Sequence, residues 1–122
     1  MVLGTLHTAS AATTIDRIVD IFSAGEKAMF RLMLCESLKA VLTQILVKKI
    51  GGGRIAAHKI MLGTPAIRHL IREAKAAQMY SVIQTGGGLG MKTLDQCLRN
   101  LVDKLVISAD VAREEARSPE NF

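Results

Sequence analysis

Glycine runs that end in Lys-Thr are the wording of a phosphate-cradling loop, and the chain carries two glycine clusters, Gly51-Gly-Gly53 and Gly86-Gly-Gly-Leu-Gly-Met-Lys-Thr93. In such a loop backbone N–H groups wrap the phosphates, a lysine reaches their outer oxygens, and a glycine directly precedes that lysine. Neither cluster keeps this register. Met91 stands before Lys92, and neither a Gly-Lys-Ser/Thr nor an immediate helix follows Gly53. Thr93-Leu-Asp-Gln96 reads as a capping box, which makes Gly86–Gly90 a flexible entry to a helix; anion binding at that helix N-terminus stays open as the alternative. Gly51–Gly53 permits positive backbone angles and reads as the turn of a hairpin.

Two further groups of residues could carry function. Met1-Val-Leu-Gly-Thr-Leu6 is a short apolar run that suits a buried strand, with Thr5, His7 and Thr8 at its carboxyl end. In open α/β sheets that edge is where nucleotides bind, so these three are candidate site residues; the alternative is a strand-terminal histidine hydrogen-bonded to loop backbone. In the second group, Thr64 and Pro65 supply an N-cap and a first helical residue. Ala66, Ile67, Leu70, Ile71 and Ala74 then form an apolar stripe, while Arg68, Arg72 and Lys75 share another face. The alternative there is an ordinary amphipathic surface helix with solvated arginines.

The elements that position these residues follow from periodicity and caps. Ser10 caps a helix from Ala11 to Ile21, with Ala11, Ile15, Ile18, Val19 and Phe22 inward. Ser23-Ala-Gly-Glu26 reads as a capping box opening a longer helix whose stripe is Phe30, Met33, Leu34, Leu38 and Val41. Gln44–Lys49 and Arg54–Leu62 read as the two strands of the hairpin. Ala76–Ile83 reads as a short helix with Met79, Val82 and Ile83 inward. The helix after Thr93 repeats Leu94, Cys97, Leu98, Leu101, Val102 and Leu105. Ser108 caps a last helix, Ala109–Arg117, which Pro119 stops.

Composition narrows the function. At 122 residues, with 49% apolar residues and two prolines, the chain suits one domain and not a disordered tail. Lys plus Arg exceed Asp plus Glu by 16 to 11, a net charge of +5 that suits an acidic protein, an acidic lipid or nucleic acid equally. The absence of Trp and the single Tyr80 speak against nucleic acid, because stacking platforms are missing. Cys35 and Cys97 fall in apolar helical phase and read as buried thiols in a reducing compartment. His7, His58 and His69 share no ligand spacing with them, which argues against a zinc site. No positively charged side chain precedes Arg17, as a signal peptide requires, and no apolar run is long enough to span a membrane. The expected location is the cytoplasm.

Gly4-Thr-Leu-His-Thr8, Ala66-Ile-Arg-His-Leu-Ile-Arg-Glu73 and Gly90-Met-Lys-Thr-Leu-Asp-Gln96 together resemble one family, the PilT-type retraction ATPases of type IV pili, in the secretion-ATPase superfamily. Ala66, Ile67, Arg68, Leu70, Ile71, Arg72 and Glu73 match that family's AIRNLIRE motif, with His69 where it has Asn. Gly4, Thr5, Leu6, His7 and Thr8 resemble its His box. The resemblance runs from Val2 to Pro119-Glu-Asn-Phe122. It departs at Lys59, where the family carries Glu.

The resemblance implies an α/β fold, the C-terminal part of a RecA-like ATPase domain, mostly helical with a few short strands including one hairpin. Residues 1–62 would be the remaining sheet part with two helices, and residues 63–122 the helical part of the same single domain. It implies a cytoplasmic hexameric motor at the inner face of the inner membrane, using ATP and Mg to retract pili under a platform protein. His7 would lie near the nucleotide, and Ala66–Glu73 would transmit hydrolysis into retraction. The family's P-loop, Asp box and Walker B carboxylates precede the His box, so the chain resembles a detached C-terminal part. Such a part is expected to bind no nucleotide tightly alone, and to expose apolar edges and associate. Two other classes stay open: a non-enzymatic module that joins hexamers of a complete homologue, and a small basic nucleic-acid-binding helical domain.

Overall fold

Gly51, Gly52 and Gly53 take φ of 86°, 110° and 77°, a left-handed run that residues with a Cβ resist, and around them the chain folds back on itself. Strands β1 (Ala40–Lys48) and β2 (Arg54–Leu62) pair antiparallel on either side, from Lys48↔Arg54 at the turn to Ala40↔Leu62 at the open end. The computed structural model describes all 122 residues, and this hairpin is its one sheet. Helices α1 (Ala11–Asp20) and α2 (Lys27–Ser37) precede it. Helices α3 (Pro65–Arg72), α4 (Met79–Thr85), α5 (Leu94–Asp103) and α6 (Ala109–Glu115) follow. The expected fold class, mostly helical with a hairpin, is what forms.

The two ends of the hairpin serve two apolar clusters. At the open end, Met61 joins Ile15 of α1, Cys35 of α2, Ile67 and Ile71 of α3, and Met79 and Ile83 of α4. At the turn end, Val47 and Ala57 pack with Cys97 and Leu98 of α5, Ile107 and Ala112. Both cysteines are buried free thiols, as their helical phase implies. Gly63 makes the crossing from β2 to α3: its N–H donates to Lys39 O at 2.8 Å, and a Cβ there would collide with Leu38 O. That close approach to backbone requires glycine.

Caps explain most helix starts. Ser10 accepts from Thr13 N–H and Ser108 from Val111 N–H. Thr93 and Gln96 form the full reciprocal box, with Gln96 N donating to Thr93 Oγ1 at 3.2 Å and Thr93 N to Gln96 Oε1 at 2.9 Å. Gly87–Leu89 is a short 3-10 turn leading into it, and Gly90 takes φ 95°.

Several expectations need correction. Met1–Leu6 forms no strand: β1 and β2 pair with each other, and an apolar run with no neighbouring strand has nothing to satisfy its backbone groups. The box at Ser23–Glu26 does not form; Ser23 offers its backbone carbonyl to Glu26 and Lys27, and α2 starts at Lys27 without a side-chain cap. Helix α2 stops at Ser37, because Leu38 is extended, so Val41 lies in β1, which starts four residues before Gln44. Leu105 leaves the α5 stripe: it takes φ 60° and is 78% exposed, closing the helix with Leu105 N–H on Val102 O. Helix α6 ends at Glu115 with Ala116 extended, and Pro119 opens a short 3-10 turn instead of stopping a helix.

The expected exposed apolar surface is present. Leu42 and Leu46 stand out from β1, and Met29 and Leu32 from α2; Met33, expected on the inner stripe of α2, is exposed with them. No helix is long and apolar enough to cross a membrane.

Candidate functional site

Helix α3 is fixed from both ends and from beneath. Thr64 Oγ1 accepts from Ile67 N–H at 3.4 Å, and Pro65 follows as the first helical residue. At the other end Lys75 N–H reaches Leu70 O and Ala74 N–H reaches Ile71 O, a Schellman closure with Ala74 left-handed at φ 57°. Ile67, Leu70 and Ile71 are buried in the open-end cluster. Ala66 and Ala74, expected on the same stripe, are exposed; Ala74 has already left the helix, in the left-handed turn that closes it.

The polar residues of α3 fall into two kinds. His69, Arg72 and Glu73 are exposed and make no ion pair or side-chain hydrogen bond. Arg68 is half-buried, and its Nε is enclosed without a partner, which corrects the picture of a fully solvated basic face. An enclosed guanidinium N–H is a donor still waiting for an acceptor. The helix therefore presents three free charged or titratable groups to the outside and one unsatisfied donor at its flank.

Gly4, Thr5, Leu6 and His7 lie in an exposed segment without regular structure. Order begins at Thr8, half-buried, whose hydroxyl shares a 2.6 Å hydrogen bond with Thr14 Oγ1 of α1. Lys59 Nζ on β2 then donates to Ala9 O at 2.5 Å. The His-box residues and α3 are thus held by different neighbours: α1 and β2 for the first, α2 and α4 for the second.

These residues do not by themselves fit a nucleotide triphosphate. In the Gly86–Thr93 stretch the Thr93 amide already donates to Gln96 Oε1 and is not free for a phosphate, while the Thr93 hydroxyl oxygen accepts from Gln96 N–H. His7 has no wall of side chains around it.

Sequence reasoning missed three long-range contacts. Lys92 pairs through its backbone with Ile60 of β2, with N–H to O distances of 2.8 and 3.0 Å, which places the lysine beside the hairpin. The Arg117 guanidinium lies over the Tyr80 ring, 3.7 Å from its centroid. Asp95 accepts from the backbone N–H groups of Arg117 and Ser118 at 2.8 and 2.9 Å. Each joins residues far apart in the chain, and no local pattern encodes such pairs.

No protein-family model matches the chain. It is 69% identical over 122 residues to the type IV pilus retraction ATPase PilT of Pseudomonas aeruginosa, covering all of this chain and 36% of that protein. It is 52% identical over 123 residues to a twitching motility protein of Neisseria gonorrhoeae, covering all of this chain and 33% of the relative. The chain thus spans about a third of the length of these curated relatives. Among solved structures, the pilus retraction motor PilT with bound ADP matches with a TM-score of 0.82 and 39% identity, over 98% of this chain and 33% of that one. The ATPase DotB of Legionella pneumophila matches with a TM-score of 0.72 at 19% identity, over 88% of this chain and 29% of its own, a likeness of fold alone.

Proposed function

Because this chain belongs over its whole length to the PilT-type pilus retraction ATPases, with the C-terminal part of their RecA-like fold, we propose that it is the part of a twitching-motility motor that turns ATP hydrolysis into retraction. The observation that carries this reading is the construction of α3. Ile67, Leu70 and Ile71 anchor it in the core, and the basic and acidic groups of the motif stay free of internal partners. A helix so built transmits force as a rigid body and recognises a partner by charge. Arg72, with Arg68 beside it, would fork onto an acidic surface of a neighbouring protomer or of the pilus platform protein in the inner membrane. His69, in place of the Asn of the motif, removes the amide carbonyl acceptor at this position and presents a ring nitrogen donor to the partner instead.

The complete motor is a cytoplasmic hexamer that takes ATP and Mg. His7 would stand near the nucleotide once the rest of the motor surrounds the exposed segment Gly4–Thr8. The chain contains no P-loop lysine and no Walker B carboxylates, so hydrolysis belongs to other parts of the motor.

Replacing Arg68 and Arg72 together by Ala in a complete motor carrying this sequence separates chemistry from output. Phosphate release should stay about as in the parent while pilus retraction is lost. The same phosphate-release assay on the 122-residue chain alone should give no turnover. Equal loss of turnover and retraction in the double variant would overturn the division of labour.

A further inference from the structure

A cavity of about 550 Å³ opens between β2, the start of α1, the start of α5 and the chain after α6, in the size range of small-molecule sites. Its floor is apolar, with Val41, Met61, Met79 and Ile83. Its rim is cationic: Lys59, Lys92 and Arg117 all border it, and none is within ion-pair distance of a carboxylate. From this arrangement we propose that the cavity binds a small amphipathic anion, an alkyl or aryl phosphate or carboxylate, with its apolar body on the floor and its head between Lys59, Lys92 and Arg117.

The charges around the cavity favour an anion over a cation. Two carboxylates also border it, Asp95 and Glu115. Asp95 is already engaged, its two oxygens each taking a backbone N–H from Arg117 or Ser118. Its charge remains, so the lining carries three cations against two carboxylates, of which only Glu115 has oxygens free of protein donors. Lys59 carries a single hydrogen bond, to Ala9 O, so two of its ammonium hydrogens lack a protein acceptor. Burial holds that ammonium below the usual lysine range; Asp95 works against the shift and Arg117 adds to it. An anion in the cavity would relieve both adverse causes, by replacing lost hydration and by screening Lys59 from Arg117.

The remaining walls fit the same ligand. The Arg117 guanidinium is held in place by stacking on Tyr80, which leaves its edge donors free for an oxyanion. The first-turn amides of Ala11 and Ala12, at the start of the ten-residue α1, border the cavity and carry no intrachain partner. Lys92 is held at the rim by its backbone pairing with Ile60. These groups are distinct from the α3 motif, and the proposal does not depend on the retraction reading.

Titration calorimetry of the 122-residue chain with octyl phosphate tests the site, with inorganic phosphate and octyltrimethylammonium as the other arms. Saturable one-to-one binding of octyl phosphate is expected, with inorganic phosphate about tenfold weaker or more for want of the apolar body, and no binding of the cation. Lys59→Gln and Lys92→Gln should each weaken octyl phosphate by about tenfold, while Lys48→Gln, exposed at the turn end of β1 and outside the cavity, leaves it unchanged. Circular dichroism confirms that each variant is folded, and Lys92, whose side chain makes no hydrogen bond within the chain, decides should Lys59→Gln not fold. Absence of saturation, equal binding of the ammonium compound, or parent-like affinity in the lysine variants would overturn the proposal.

Discussion

Ile67 and Ile71 of α3 are 0% and 1% exposed, whereas Val2 and Leu3 of the N-terminal segment are 94% and 87%. Both regions carry motif wording of comparable specificity. The difference lies in where their stabilising partners are. Helix α3 brings its own start and stop signals, and the elements that cover its apolar side, α2, α4 and the end of β2, all lie in this chain. The N-terminal run has strand composition but no strand beside it, so its backbone groups face water. A helix satisfies its hydrogen bonds internally, and a strand never does.

The largest test of this contrast is truncation on each side. Ile67→Ala should lower unfolding stability by about 2–5 kcal/mol, through lost burial and a cavity beneath α3. Leu3→Ala should change it by less than about 0.5 kcal/mol. Urea unfolding of both variants reads the difference directly. A comparable loss in the two would mean that the N-terminal segment packs in solution and that its exposure is no guide to its role.

The same contrast explains what was legible in the sequence. Ser10, Thr64, Thr93 and Ser108 each placed a helix start correctly, because an N-cap acts within three residues. The hairpin followed from three glycines and flanking apolar runs. Met1–Leu6 was misplaced because strand formation depends on a neighbour that no local signal supplies. Ser23–Glu26 misled for a related reason: the residue pair suits a capping box, yet α2 begins at Lys27, beyond the reach of the Ser23 side chain. Of the candidate site, the burial of Ile67, Leu70 and Ile71 was readable from periodicity, whereas Ala66 and Ala74, read onto the same stripe, are exposed. The enclosure of Arg68 Nε, the Tyr80–Arg117 stack and the Lys59–Ala9 tie depend on tertiary packing, and only the folded chain shows them.

A smaller effect separates the two starts themselves. Thr64→Ala removes the acceptor for Ile67 N–H and should cost about 1 kcal/mol. His7→Ala, in a residue without a hydrogen bond, should be neutral in the same urea titration. Thr64→Ser, which keeps the hydroxyl, should restore most of the loss. If it does not, packing of the threonine methyl, and not the cap, holds the start of α3.

The smallest effect probes the boundary where the open segment becomes ordered. Lys59 donates to Ala9 O, and burial lowers its pKa from 10.5 against the opposing pull of Asp95. In the window between the lowered folded pKa and 10.5 the unfolded chain binds more protons at this site than the folded chain, so stability rises with pH. The destabilisation from burying the charge is fully present below the folded pKa and gone above 10.5. Lys59→Gln cannot titrate, and the difference in urea midpoint between parent and variant, followed upward from pH 7, should move in favour of the parent as pH rises. A flat difference would mean that Lys59 is fully hydrated in solution. In that case its bond to Ala9 does not persist, and the ordered chain begins at the Thr8–Thr14 hydroxyl pair, without help from the hairpin.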